Sequence, residues 1–201
     1  MSKDVSWGNA QACGILGLCT VVIPLSVLNL GWIPPEGAPL IIPWLLFGGL
    51  VQVICGLIDF RRGGTLLATP LVLFGLMLCI TPAFGIMVTH WLGAPAPVPP
   101  FLHGAGFLVV AAYVLALLYA TGLVSSTVFI LVLLLDLGLW LVGLTYLGVA
   151  GLGAIGWYLL LIFALGMVYV ACAIYLNELF GRPVLPLGAP LFKPPSASVS
   201  G

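Results

Sequence analysis

The sequence predicts an all-α membrane protein, a bundle of six transmembrane helices. Of the 201 residues, 63% are hydrophobic and only 5% are charged, and the mean hydropathy is +1.32. A soluble domain normally carries about 25% charged residues, so this chain is too apolar to fold as a soluble monomer. Its apolar runs are long and continuous. This excludes the alternating pattern of β-barrel strands and leaves helices as the spanning structure.

Six apolar runs are long enough to cross a bilayer, which takes roughly 20 residues. They cover residues 10–30, 39–60, 66–91, 102–121, 125–147 and 152–176. The segments between them are rich in turn-forming Gly and Pro, and residues 93–100 hold enough proline to predict a stiff extended linker. We expect residues 1–188 to form one transmembrane domain. Residues 189–201 are expected to form a Pro-rich cytoplasmic tail, and the segment from Gly181 to Gly201 is expected to have no packed structure beyond its first residues.

The basic residues predict the orientation in the membrane. With six spans, both termini and the second and fourth loops lie on one side. That side carries every Lys and Arg of the chain, at positions Lys3, Arg61, Arg62, Arg182 and Lys193. Because cytoplasmic loops are enriched in Lys and Arg, we expect a multi-pass protein of the inner or plasma membrane with both termini in the cytoplasm. The polar residues 1–7 and the long run after them predict no cleaved leader.

Small residues predict close helix contacts and an internal repeat. Gly17, Gly75 and Gly138 each precede a Leu within the first, third and fifth runs. In lipid, helices associate by packing over such small side chains. The recurrence suggests three pseudo-repeated helical hairpins arranged around an axis.

One acidic residue lies near the middle of the fifth run. Asp136 is too deep to reach either membrane interface. A charged side chain there costs about 2.5–3.5 kcal/mol or more, so Asp136 must be protonated, paired or in contact with internal water. One interpretation is a protonated acid bonded to a backbone carbonyl, to Gln52 or to Thr145. The favoured one is a proton-carrying or gating residue on a transport path, since intramembrane acids commonly have that role.

Two other polar side chains lie in or beside the second run. Asp59 precedes Arg61 and Arg62 at a helix end, which predicts a local ion pair at the interface. Gln52 lies within the run and either bonds to a neighbouring helix or lines a conduit. Both interpretations of Gln52 stay open.

No catalytic, metal or cofactor site is predicted. The five cysteines lie within apolar runs and form no CxxC or Cys/His metal pattern, and no nucleophile or metalloprotease motif is present. The acid at membrane depth has no partner acid or histidine, so no enzyme is predicted. The net charge of zero excludes a nucleic-acid-binding surface. His90 and His103 flank the proline-rich linker, either as solvated loop residues or as a pH-sensitive gate.

Two segments resemble a known family. Residues 48–65 read GGLVQVICGLIDFRRGGT, and residues 177–188 read NELFGRPVLPLG. They are similar to the second-helix and C-terminal signatures of the acetate uptake transporter (AceTr) family, the YaaH-type succinate–acetate permeases. Those signatures are a Gly-Gly-x-x-Gln-x-x-x-Gly-Leu run followed by an acid, and Asn-Glu-x-Phe-Gly-Arg-x-x-Leu-Pro-x-Gly. The likeness extends over residues 9–188.

The resemblance implies a ring-shaped homohexamer in the lipid bilayer, with six helices and one narrow pore in each protomer. The implied substrates are small carboxylates such as acetate and succinate, moved by proton coupling or by channel-like flow. The resemblance places one pinching side chain on each odd helix, namely Leu18, Phe74 and Leu135. It places Asp136, Gln52 and Asn9 as pore-lining or proton-carrying residues.

The chain departs from the family pattern at three places. The N-terminal signature Asn-Pro-Ala-Pro-Leu-Gly-Leu reads NAQACGI at residues 9–15, without either proline. The third helix has Val72, Leu73 and Phe74 where the family has Thr, Ser and Tyr. Asp136 stands where a Thr is usual. An ionised Asp136 would repel a carboxylate, so either it is protonated during passage or the cargo is not an anion.

We therefore expect a transporter or channel for acetate-like monocarboxylates. The alternative within transport is a channel for a small neutral solute, such as an amide, urea or a protonated acid. An alternative of another class is a receptor, sensor or assembly subunit that binds a carboxylate without moving it. No soluble domain is predicted that could carry such a signal.

Overall fold

The computed structural model describes residues 7–91, 93 and 100–193. The regular secondary structure of these residues is helical. The helices are α1 (Gln11–Asn29), α2 (Ile42–Arg61), α3 (Ala68–Leu73), α4 (Thr81–Trp91), α5 (Pro100–Gly122), α6 (Ser126–Tyr146) and α7 (Gly153–Phe180). A 3₁₀ helix (Pro35–Ile41) leads into α2, and a π-helical segment (Phe74–Ile80) joins α3 to α4. Six of these helical units are long and apolar enough to cross a membrane.

Local chemistry sets several helix ends. The Ser125 hydroxyl accepts a hydrogen bond from the Val128 amide at 3.2 Å and caps the start of α6. Gly181 adopts a left-handed conformation with φ of 60° and ends α7. The last helix therefore runs four residues beyond the predicted end at residue 176.

The third span is interrupted, although its sequence predicts one continuous helix. Pro82 has no amide hydrogen and would clash with the carbonyl one turn earlier in a regular helix. The chain widens into the π-helical segment just before it, and the Thr81 hydroxyl donates to the Leu76 carbonyl at 2.9 Å. Phe74 is the first residue of this segment. A hydropathy pattern carries no signal for such a break.

The helices pack in the order third span, α2, α1, α7, α6, α5. Glycines make the closest contacts. A Cβ atom on Gly75 would lie 2.7 Å from the Gly49 carbonyl oxygen, and one on Gly48 would lie 2.8 Å from that of Gly17. Small residues thus allow the backbones to touch.

The predicted hairpins differ in how closely they pair. Helices α1 and α2 pack together, as do α6 and α7. In the middle hairpin, the third span packs along α2 and α5 packs along α6, so these two spans do not pair closely within the described ranges. Cavities described below lie between them.

The prediction of a largely unpacked tail after Gly181 is wrong for residues 182–193. The Asn177 side chain accepts from the Leu185 amide at 2.9 Å and donates to the Leu185 carbonyl at 2.9 Å. The amides of Leu191 and Phe192 donate to the Gly122 carbonyl at 2.8 and 3.0 Å. These non-local contacts hold the segment across the end of the bundle. We call residues 182–193 the C-terminal strap. The predicted extended linker falls mostly on residues 94–99, outside the described residues.

Candidate functional site

Three cavities follow one another between α1, α6 and α7, which contribute to the walls of all three. We call the end of the bundle that holds the start of α1 and the end of α7 the inner end. The inner cavity has a volume of about 390 Å³, the central cavity about 30 Å³ and the outer cavity about 250 Å³. The central and outer cavities share Leu25, Leu78, Phe107 and Trp157. The inner cavity reaches Val128 of α6, about two helical turns before Leu135 in the central wall.

Leu18, Phe74 and Leu135 all line the central cavity. Each is almost fully buried, with 6%, 3% and 4% of its surface exposed. They come from α1, the π-helical segment and α6. A space of this volume holds no more than a water or two, and hydrocarbon walls give a water few partners. The arrangement is a hydrophobic constriction between two wider spaces.

An aromatic cluster forms the outer side of the constriction. The Phe107 ring lies 6.4 Å from Trp157 and 5.7 Å from Tyr146, and His103 lies 6.0 Å from Tyr146. All four residues line the outer cavity. His103 is therefore on the wall of that cavity, while His90 is exposed at the end of α4.

Gln52 lies behind the constriction, between α2 and the third span. Its amide nitrogen donates to the Gly48 carbonyl at 3.2 Å and to the Cys79 sulfur at 3.3 Å. It is fully buried, and its amide oxygen has no hydrogen-bond partner among the described residues. Gln52 lines none of the three cavities. Of the two interpretations from the sequence, the contact with a neighbouring helix is the one that the structure records.

Asp136 also lies off the cavity walls. Its neighbour Leu135 lines the central cavity, but one residue along a helix turns the side chain by about 100°. Asp136 is 4% exposed, and Trp140 lies one helical turn further along α6. The Oδ1 atom has no partner among the described residues. Thr145 donates to the Leu141 carbonyl at 2.9 Å instead of pairing with Asp136.

The inner cavity has a polar corner that the motifs did not predict. Asp59 is 2% exposed, and the Gln11 amide donates to its two carboxylate oxygens at 3.1 and 3.2 Å. Asn9 accepts from the Gln11 backbone amide at 3.0 Å and so fixes the start of α1. Gln11 and Asp59 both line the inner cavity, whereas Asn9 does not. The pairing joins residues 48 positions apart, so no local pattern could reveal it.

The predicted ion pair of Asp59 with Arg61 or Arg62 is not formed within the described part of the chain. Asp59 faces the cavity and α1 rather than the interface. The Arg61 guanidinium lies over the Trp7 ring, 5.3 Å from its centroid. This cation–π contact turns the cation away from the carboxylate. Asp59 and Arg61 are two positions apart on α2 and therefore point in different directions, and Arg62 is exposed just after the end of the helix.

Among the described residues, no group of three His, Cys, Asp or Glu side chains lies close enough to hold a metal ion. The walls of the three cavities carry one acidic side chain, Asp59, and no Lys or Arg. The cavities therefore offer no Lys or Arg side chain that could hold an anion firmly.

Comparisons with known proteins agree with the likeness seen in the motifs. The sequence profile of the GPR1/FUN34/yaaH family matches residues 2–188. The succinate-acetate/proton symporter SatP of Escherichia coli strain K12 is 28% identical over 191 residues, which cover 90% of this chain and 95% of the relative. SatP of Shigella flexneri gives the same figures.

A solved structure described as the bacterial acetate channel SatP has the same fold. It superposes with a TM-score of 0.81 at 23% identity, covering 91% of this chain and 100% of that chain. The protein is a multi-pass membrane protein with six spans. Because the family profile matches nearly the whole sequence, the chain belongs to the GPR1/FUN34/yaaH family.

Proposed function

We propose that this protein moves acetate and similar small monocarboxylates, and also succinate, across the plasma membrane together with protons. Relatives that align over most of the chain are named for succinate, acetate and protons, and the structural neighbour is described as an acetate channel. These names describe transport and not a chemical reaction, so the protein is proposed to be a transporter and not an enzyme. Both termini are proposed to be cytoplasmic because every Lys and Arg would then lie inside.

The meeting of Leu18, Phe74 and Leu135 at one narrow cavity carries this proposal. A solute that moves between the inner and outer cavities has to pass these three side chains. Hydrophobic constrictions gate by excluding water, so a hydrated ion has to lose its shell there. A small, partly apolar solute such as acetate loses less hydration free energy at the constriction than an inorganic ion does. Side-chain rotation of Phe74 would open the space.

The outward faces of the helices support an assembly in lipid. Leu40, Phe47 and Leu57 of the second span are exposed by 76%, 68% and 57%. An exposed apolar helix face of this kind is expected to be covered by lipid or by a neighbouring subunit. We propose a homohexamer in which each protomer keeps its own pore, and native mass spectrometry in detergent would measure the subunit number.

The decisive experiment is uptake of radiolabelled acetate by purified protein in liposomes, with and without an imposed inward proton gradient. Liposomes without protein give the rate at which acetic acid crosses lipid unaided. We expect protein-dependent uptake that is faster with the gradient. Uptake equal to that of protein-free liposomes under both conditions would reject transport of acetate.

One observation favours a second candidate function, a channel for small neutral solutes. No Lys or Arg side chain lines the cavities to stabilise an anion. Swelling of liposomes in urea, acetamide and acetate at several pH values separates the two. Swelling in urea that exceeds the acetate flux at every pH would favour the neutral-solute channel.

A further inference from the structure

A carboxylate on the wall of the inner cavity has no cation beside it among the residues that the structure describes. Asp59 is 2% exposed, and its hydrogen-bond donor is the Gln11 side chain, which reaches both oxygens at 3.1 and 3.2 Å. The backbone leaves room for this group at Gly64, where a Cβ atom would lie 2.8 Å from Asp59 Oδ2. A buried charge is normally paired with a cation or coordinated to a metal. A carboxylate held only by a neutral amide is therefore an unusual element in a transport path.

In the described ranges, few charged or titratable groups lie around Asp59. Helix α1 brings only the thiol of Cys13, and the thiol of Cys55 lies one turn earlier on α2. The segment 64–88, which includes α3, contains no Lys, Arg, Asp or Glu. The parts of α5, α6, α7 and the C-terminal strap that line the cavity contribute no titratable side chain. On α2 itself, Arg61 is held over Trp7 and Arg62 is exposed.

We propose that Asp59 and Gln11 form the proton- and carboxylate-binding site of the inner cavity. This inference rests on the proposed transport of acetate and names the site that couples it to protons. The ionised Asp59 keeps the Gln11 amide occupied and repels an entering anion. The protonated Asp59 does neither, so the cavity admits a carboxylate, which then accepts the Gln11 N–H bonds.

The proton balance of this site is simple. A proton from cavity water binds a carboxylate oxygen of Asp59 and neutralises it. While the substrate is in the inner cavity, this proton either transfers from Asp59 to the substrate carboxylate, which leaves as the neutral acid, or returns to the cavity water; in both cases Asp59 is left ionised. No bond other than O–H forms or breaks. The like charges of substrate and Asp59 are what make anion entry depend on pH.

The pair of solutes acetate and acetamide separates the effect of solute charge from that of solute shape, and the variant Asp59→Asn removes the charge of Asp59. They have nearly the same shape, but only acetate is anionic. In liposomes with wild-type protein, acetate flux is expected to fall steeply as the pH rises, and acetamide flux is expected to stay level. In Asp59→Asn, acetate uptake at about pH 7.5 should exceed that of the wild type by roughly tenfold, because one like charge is gone. Acetamide flux should match that of the wild type.

Two further acid-to-amide variants provide the comparison. Asp136→Asn removes the acid that lies off the cavity walls, and Glu36→Gln removes an exposed acid before α2. Both are expected to keep the pH profile of the wild type. If Asp59→Asn keeps that profile too, or if Asp136→Asn alone flattens it, the assignment to Asp59 is overturned. If the wild type moves no acetate at all, the proposed function fails, which is a separate outcome.

If Asp59→Asn does not give a monodisperse protein, a second variant tests the pairing of Gln11 with Asp59. Gln11→Leu removes the donor and leaves the acid. We expect its KM for acetate to rise about tenfold at low pH, while uptake still falls as the pH rises. An unchanged KM would show that Gln11 does not bind the carboxylate.

Discussion

The Gln52 amide nitrogen donates to the Cys79 sulfur at 3.3 Å and thereby joins α2 to the π-helical segment that begins at Phe74. The contact is buried and lies near the middle of α2. One wall of the constriction is therefore held from behind by a side chain that never touches the cavity.

Replacing Gln52 tests whether the residue is mainly a packing element. Gln52→Ala is expected to destabilise the protein by about 2–4 kcal/mol, because it leaves a cavity where the side chain was fully buried. Gln52→Leu fills most of that space and removes an unpaired amide oxygen, so it should cost less than Gln52→Ala. Unfolding in detergent monitored by circular dichroism measures both. An equal loss of stability in the two variants would argue that the hydrogen bonds of Gln52 contribute more to stability than the volume of its side chain does.

Replacing Gly75 tests the close contact between α2 and the third span. A Cβ atom at this position would lie 2.7 Å from the Gly49 carbonyl oxygen, a backbone atom that cannot rotate away. Gly75→Ala should therefore cost about 1–3 kcal/mol and slow acetate uptake by moving Phe74. Gly106→Ala on α5 is the matched control, since its Cβ would meet nothing within 4 Å. A loss of stability in Gly106→Ala equal to that in Gly75→Ala would contradict the steric explanation.

Shortening a side chain at the constriction should change selectivity. Phe74→Leu removes part of a ring that is 3% exposed and lines the central cavity. Acetate uptake should rise, and larger carboxylates should gain more than acetate does. Phe84→Leu changes a ring on the outer part of the same span that is 55% exposed, and uptake should stay at the wild-type level. Lower uptake of every solute in Phe74→Leu would place the limiting barrier elsewhere.

Removing the anchor of the C-terminal strap should loosen the inner end of the bundle. Phe192 stacks on Tyr119 at 5.8 Å and meets the edge of Phe129 at 5.5 Å. Such aromatic pairs contribute about 0.5–1.5 kcal/mol each, so Phe192→Ala should make the segment after Gly181 more sensitive to a protease. Phe180→Ala, at a ring that is 59% exposed, is the control. Cleavage at wild-type rates in Phe192→Ala would mean that the backbone bonds to Gly122 suffice.

Features that depend on residues close together in the chain could be predicted from the sequence. The length of each apolar run set the six spans, and the largest difference at an end is the extension of α7 to Phe180. Leu18, Phe74 and Leu135 could be placed only through the family likeness, because hydropathy does not distinguish a side chain that faces a cavity from one that faces a neighbouring helix.

Three features could not be predicted from local patterns. The orientation of Asp136 depends on the rotation of α6, which no composition reports. The pairing of Gln11 with Asp59 joins distant residues. The packing of the C-terminal strap depends on Phe192 meeting two rings from other helices, whereas its proline content alone suggested a loose tail.

The π-helical segment has a consequence for the handling of insertions and deletions. A π-helical turn holds one more residue than an α-helical turn, so the wide turn takes up a surplus residue while the helix on either side keeps nearly its rotational phase. Deleting one residue between Phe74 and Ile80 would therefore restore a regular helix and leave α4 facing nearly as it does now. Pro82 and Gly85 would still line the outer cavity. Deleting one residue from the middle of α6, which is α-helical throughout, would instead rotate everything after it by about 100°.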